Sequence, residues 1–141
     1  KRTATWALLK LKDSQKKFFY VNTHLDHKGE QARKNGLALI VSKIAAMNPE
    51  GLPMILTGDF NVTPDDPALV DLDKIMTSAR VGAVNSDDNP SFNGWGSSAL
   101  VIDYIYYSGF KSCQDFKVVN DQYAGVPYIS DHYPVISTLV L

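Results

Sequence analysis

Residues Val101 to Tyr107 read Val-Ile-Asp-Tyr-Ile-Tyr-Tyr, an apolar strand with a carboxylate inside it. A strand without a polar face belongs where both sides of a sheet are covered. A carboxylate there is costly to bury unless it is paired. The fold must therefore bring Asp103 a partner, or leave it facing outward on an edge strand. The chain contains three histidines, and an Asp–His pair is a common way to orient an imidazole.

The remaining periodicity surrounds this strand with others. Thr5 to Lys12 and Phe18 to Thr23 read as two strands joined by the polar turn Asp13 to Lys17, a hairpin. Gly29 to Met47 reads as a helix whose apolar stripe is Leu37, Ile40, Val41, Ile44 and Met47, stopped by Asn48-Pro49-Glu50-Gly51. Pro53 to Thr57 is a short apolar strand. A short helix follows Pro64-Asp65-Asp66-Pro67 and runs to about Leu72. Residues 77–96 read as loop-rich, with Asn-Pro and Asn-Gly pairs. Lys111 to Val119 and Val135 to Leu141 complete the strands. The pattern predicts an α/β (α+β) domain with a mixed sheet and a helix on one face. At 141 residues the chain suits one compact domain.

Composition narrows the chemistry. The formal net charge is −1, so no overall basic character steers the chain to nucleic acid, and a phosphate ligand needs local devices such as a metal. The single cysteine, Cys113, excludes an internal disulfide. No apolar stretch is long enough for a transmembrane helix. The sequence opens without an initiator methionine, directly in strand-like sequence, as a piece of a longer protein would.

Four segments carry residues suited to a reaction. Gly58-Asp59-Phe60-Asn61 ends an apolar strand, and in extended chain Asp59 and Asn61 face the same way. Such oxygen pairs suit Mg²⁺ or a water beside it, although Gly, Asp and Asn also build plain turns. An EF-hand loop starting at Asp59 is excluded, because Pro64 and Val70 stand where Gly and Glu are required. Ser130-Asp131-His132-Tyr133-Pro134 offers an acid for a cation and an imidazole for a phosphate oxygen or a proton, or else a capped turn. Asp103 is the third. In Asn22-Thr23-His24-Leu25-Asp26-His27, Asn22 and His24 share a strand face and suit a cation or phosphate. A zinc site from His24 and His27 is the weaker reading, and His27 reads as structural. Phe92 and Trp95, in a Gly- and Ser-rich loop, either plug the edge of the core or stack on a ring.

Taken in order, Asn22-Thr23-His24-Leu25, Gly58-Asp59-Phe60-Asn61, Ser91-Phe92-Asn93-Gly94, Ile102-Asp103-Tyr104-Ile105 and Ser130-Asp131-His132-Tyr133-Pro134 resemble the successive motifs of the endonuclease/exonuclease/phosphatase family. The resemblance implies the deoxyribonuclease-I-like fold, a four-layered α/β/β/α sandwich with largely antiparallel mixed sheets. It implies Mg²⁺ or Mn²⁺ and hydrolysis of a phosphate ester, which needs positioning and charge neutralisation above all. Asp59 then activates or positions the attacking water and Asn61 orients it. His132 contacts the phosphate, Asp103 holds that imidazole, and His24 donates to another phosphate oxygen. The metal ligands are Asp131, Asp59 and Asn61. The substrate is a nucleic acid, a lipid headgroup or an inositol phosphate. An Asn and a metal-binding Glu from the family's N-terminal half have no counterpart here, so residues 1–141 are expected to be the C-terminal portion of the domain. The expected partner is the N-terminal half or a second copy. A non-catalytic fragment or binding module is the alternative to an enzyme.

Overall fold

A computed structural model describes residues 2–141. Eight strands form two mixed sheets. β1 (Ala4–Lys10), β2 (Lys17–His24), β3 (Met54–Asp59), β6 (Asp103–Ser108) and β4 (Thr77–Ser78) lie in the order β1-β2-β3-β6-β4. β5 (Ala83–Ser86), β7 (Ser112–Val118) and β8 (Val135–Val140) make the second sheet in that order. The β1–β2 hairpin is antiparallel, β2 and β3 are parallel, and β6 runs antiparallel to both β3 and β4. The parallel step needs a crossover, and α1 (Glu30–Met47) supplies it.

α1 buries Leu37, Ile40 and Ile44 at helical spacing, while Leu39 stays on the surface. It ends where the Asn48 side chain binds the backbone N–H and C=O of Leu52, and Gly51 takes a left-handed conformation at φ 64°. This stripe packs with Phe19, Val21, Met54, Leu56, Tyr104 and Tyr106 into the main core. The short turn Pro67–Leu69, capped by the Asp66 carboxylate accepting from Ala68 N–H, leads into α2 (Val70–Asp73) and places Leu69 and Leu72 in the same core. The opposite face of the sheet carries Ile105 and Tyr107. These meet Cys113, Phe116, Val118, Val135 and Leu139 of the second sheet in a smaller core. The layers are thus helix, sheet, sheet.

Two expectations are corrected. The segment 77–96, read as loop, contains β4, α3 (Ala79–Gly82) and β5. These elements are two to four residues long, too short to show a period, and the sheets recruit them by pairing. The two sheets that the family resemblance implies are present, with β5, β7 and β8 pairing among themselves as the second. β1 also differs from a covered apolar strand: every residue from Ala4 to Lys10 is exposed, including Trp6, Leu8 and Leu9.

Candidate active site

β2 and β3 end, and the antiparallel β6 begins, at one level. His24 is in register with Asp59, and Asp59 with Asp103, so the three residues form one row across three neighbouring strands. Directly after β3, Phe60 is fully buried and stacks on Tyr104 at 4.9 Å between ring centroids. That anchor commits the turn's apolar residue to the helix side and leaves Asp59 on the other face. Gly58, at φ 152°, crosses Thr23 so closely that an added Cβ would lie 1.9 Å from the Thr23 carbonyl oxygen. The register that sets His24 beside Asp59 therefore requires glycine here.

His24 Nε2 lies 3.3 Å from Asp59 Oδ2. His132 arrives from the loop before β8: its Nδ1 is 2.8 Å from Asp103 Oδ2, and its Nε2 is 3.8 Å from Asp59 Oδ2. The partner demanded by a carboxylate in an apolar strand is thus His132; Asp103 opens β6, where it pairs with β3, and β4 joins β6 only at Tyr106 and Tyr107.

Asn61 is reached differently from expectation. It does not continue the strand but takes a left-handed conformation at φ 53°. Its N–H donates to Asp59 Oδ1 at 2.8 Å and its Nδ2 donates to the Leu25 carbonyl at 3.1 Å. The tight turn, not strand alternation, brings the two residues together. The Asp131 carboxylate meets Ser130 Oγ at 3.4 Å and adds no atom to the cluster formed by Asp59, Asp103 and His132. His27 is exposed, with Asp26 and Arg2 beside it, and takes no part.

What holds His132 in place is a network that side-chain chemistry alone did not single out. Ser91 is fully buried, and its Oγ accepts from the N–H groups of Ile102 and Asp103 at 3.2 and 3.0 Å. Its carbonyl accepts from Tyr133 N–H at 2.7 Å. Asn93, also buried, donates to the Ser130 carbonyl and accepts from Trp95 N–H, while its own N–H donates to the Asp131 carbonyl. Phe92 lies against the His132 ring at 4.9 Å. Ser91-Phe92-Asn93 therefore pins the start of β6 to the His132 loop. The signal for it was the Ser-Phe-Asn-Gly motif, to which residue chemistry alone assigned no role.

Burial holds the Asp59 carboxyl above its usual range. The Asn61 N–H opposes this, the Asp103 charge adds to it, and His24 and His132 offset it. A dication beside Asp59 would relieve both the burial and the repulsion. Asp59, Asp103 and His132 each offer a ligand atom, all within 4.8 Å of one another, but Asp103 already holds His132. The donors left for a cation are carboxylate and amide oxygens, a set that fits Mg²⁺ or Mn²⁺ better than a soft metal.

Helix, sheet and sheet, with an Asp–His cluster where the strands end, define an α/β sandwich of the deoxyribonuclease-I-like class. The model of the endonuclease/exonuclease/phosphatase family matches residues 3–132, and the chain belongs to that family. Among solved structures it is similar to a mannosyl-6-phosphatase of Bacteroides thetaiotaomicron, with 29% identity, a TM-score of 0.89, and coverage of 99% of this chain and 57% of the other. A family protein from Bacteroides vulgatus shares 33% identity at a TM-score of 0.86, covering 99% and 56%. A truncated TDP2 of Caenorhabditis elegans, at 20% identity and a TM-score of 0.75, covers 99% and 60% and shares the fold. The chain thus spans under two thirds of the length of these proteins. No curated protein matches it in sequence.

Proposed function

We propose that the protein carrying this chain is a metal-dependent hydrolase of phosphate esters, with residues 1–141 as the C-terminal portion of its catalytic domain. The observation that carries this reading is the row His24, Asp59, Asp103 with His132 held at 2.8 Å by Asp103. Two imidazoles flank one half-buried carboxylate. That arrangement can hold an anionic phosphate on one side and a polarised water on the other.

Asp103 fixes the ring of His132 through Nδ1, leaving Nε2 free to donate to a phosphate oxygen. His24 donates to a second oxygen from the far side of Asp59. Asp59 accepts the proton of the attacking water or aligns it, and Asn61 supports that water. Asp59, Asn61 and Asp131 would supply oxygen donors to Mg²⁺ or Mn²⁺. When bound, the ion neutralises the phosphate and lowers the pKa of water. Similarity to a mannosyl-6-phosphatase brings sugar phosphates into the candidate substrates alongside nucleic acid, lipid headgroups and inositol phosphates.

One observation favours a second reading of the isolated chain. The apolar residues Trp6, Leu8 and Leu9 of β1 are exposed, on a strand paired along one edge. A further segment or a second copy would cover them, and without it the chain is a non-catalytic fragment that keeps the fold. Hydrolysis of p-nitrophenyl phosphate and its bis ester by the full-length protein tests the main reading. Turnover should fall to background in His132→Ala. Turnover unaffected by that substitution overturns it.

A further inference from the structure

We propose that Trp95 is the platform for the non-phosphate part of the substrate, a polyhydroxylated saturated ring such as a pyranose or cyclitol. The inference rests on the phosphoesterase reading and deepens it. Three consecutive residues, Gly94, Trp95 and Gly96, have φ of 52°, 57° and 89°. Glycine adopts this conformation freely, whereas a bulky side chain is strained there. A backbone that suits glycine nevertheless carries the largest side chain available. Core packing does not explain it, since Trp95 is 61% exposed. Strain of this kind, held by surrounding structure, collects at functional sites.

The holding structure is the one that positions His132. Trp95 N–H donates to Asn93 Oδ1 at 2.8 Å, and the N–H groups of Asn93 and Gly94 both donate to the carbonyl of Asp131, the residue before His132. Phe92, three residues from Trp95, lies against the His132 ring. Behind Trp95, the Tyr128 ring packs so tightly on Gly96 that a Cβ there would meet it at 2.8 to 3.1 Å. The backbone that carries the exposed indole is thus tied to the loop that presents the phosphate-binding imidazole.

The chemistry of the two loops selects the occupant. Residues 91–100 and 119–134 contain Ser, Asn, Gln, Asp, Trp, Phe and Tyr, and no Lys or Arg. Stacking platforms for nucleic-acid strands are interleaved with cations that track the neighbouring phosphates. Neither loop carries a cation of its own for a second phosphate, and Lys117, at the edge of the second loop, lies 3.8 Å from the Asp121 carboxylate. An aromatic face among neutral and acidic hydrogen-bonding groups suits a ring that is apolar on its C–H face and hydroxylated at its edge.

The test uses the full-length protein with Mg²⁺ and four esters: mannose 6-phosphate, myo-inositol 1-phosphate, ring-free glycerol 3-phosphate and the p-nitrophenyl ester of thymidine 5′-phosphate. Trp95→Gly suits the left-handed backbone, so the loop should survive. We expect about a tenfold rise in KM for the ring esters, the scale of one aromatic contact, with kcat little changed. Glycerol 3-phosphate should be unaffected, and Trp95→Phe should recover most of the loss. Whether the mannose or the inositol ester loses more distinguishes a pyranose from a cyclitol, and either result supports the platform. Equal losses on all four esters, or a loss confined to the thymidine ester, overturn it. In a full-length background in which Trp6 and every tryptophan outside residues 1–141 are replaced by Phe, Trp95 is the sole indole. Its fluorescence should change on titration with mannose 6-phosphate or the inositol ester but not with glycerol 3-phosphate. That readout needs no turnover, so a protein that hydrolyses nothing yet gives the signal refutes the phosphoesterase reading alone. No change with either ring ester refutes the platform.

Discussion

Replacing Asp103 by Asn keeps the shape of the side chain and removes its charge. Asp103 Oδ2 accepts from His132 Nδ1 at 2.8 Å, and both side chains are mostly shielded, at 17% and 29% exposure. A hydrogen bond to a charged group contributes about 1.5–3 kcal/mol, against roughly 0.5–1.5 for a neutral one. The difference, about 1–2 kcal/mol, corresponds to a loss of about 5- to 30-fold. An amide that turns its NH₂ toward Nδ1 would also leave the ring in the wrong tautomer, and the loss would then be larger. The fold should not suffer, because the substitution also removes the repulsion between Asp103 and Asp59, which are partners in register. The assay is kcat and KM for p-nitrophenyl phosphate in the full-length protein with Mg²⁺, with a thermal melt on the same sample. We expect kcat to fall at least fivefold with KM within about threefold and Tm unchanged or slightly raised. Wild-type kcat in Asp103→Asn, or a loss that tracks unfolding, refutes the positioning argument.

Three further outcomes follow from the same geometry. Asp59 has its pKa raised by burial, so the stability it contributes is present below the unfolded-state pKa of about 3.9 and is lost as pH rises through the folded value. At neutral pH Asp59→Asn should therefore raise Tm while abolishing turnover; a lowered Tm contradicts this. Ser91→Ala strands the buried N–H groups of Ile102 and Asp103 and should cost about 2–4 kcal/mol in urea unfolding, and a cost below about 0.5 would show that the two amides find other partners. The isolated 141-residue chain, with Trp6, Leu8 and Leu9 exposed on β1, should hydrolyse no generic phosphodiester with Mn²⁺ and should exceed monomer mass in light scattering. Robust turnover by a clean monomer would mean that the chain supplies a complete site.

The most legible element was the one under greatest physical tension. A carboxylate in an apolar strand had to be paired, and Asp103 meets His132. The helix was legible because Leu37, Ile40 and Ile44 repeat at its period, and its stop because Asn48 to Gly51 breaks it. Asp59 and Asn61 were found for a reason that is only half right: they cooperate through a left-handed turn anchored by Phe60, which local sequence does not distinguish from extended chain. The short elements β4, α3 and β5 were hidden because they are set by pairing and not by period. The Ser-Phe-Asn-Gly motif marked Ser91 and Asn93, but what they support was hidden for a similar reason. The hydrogen bonds by which they join β6 to the His132 loop span 11 to 42 positions, and nothing within a local window gives partners at such distances.

The central claim is that the Asp59–His24–His132 cluster hydrolyses phosphate esters with the help of a divalent cation. The most direct measurement is turnover of a phosphate-ester panel by the full-length protein, stripped with chelator and then titrated with Mg²⁺ or Mn²⁺. The structure predicts activity that disappears on chelation, returns with either ion, and stays absent in Asp59→Asn. Full activity in excess chelator, or restoration of Asp59→Asn by either ion, would contradict it.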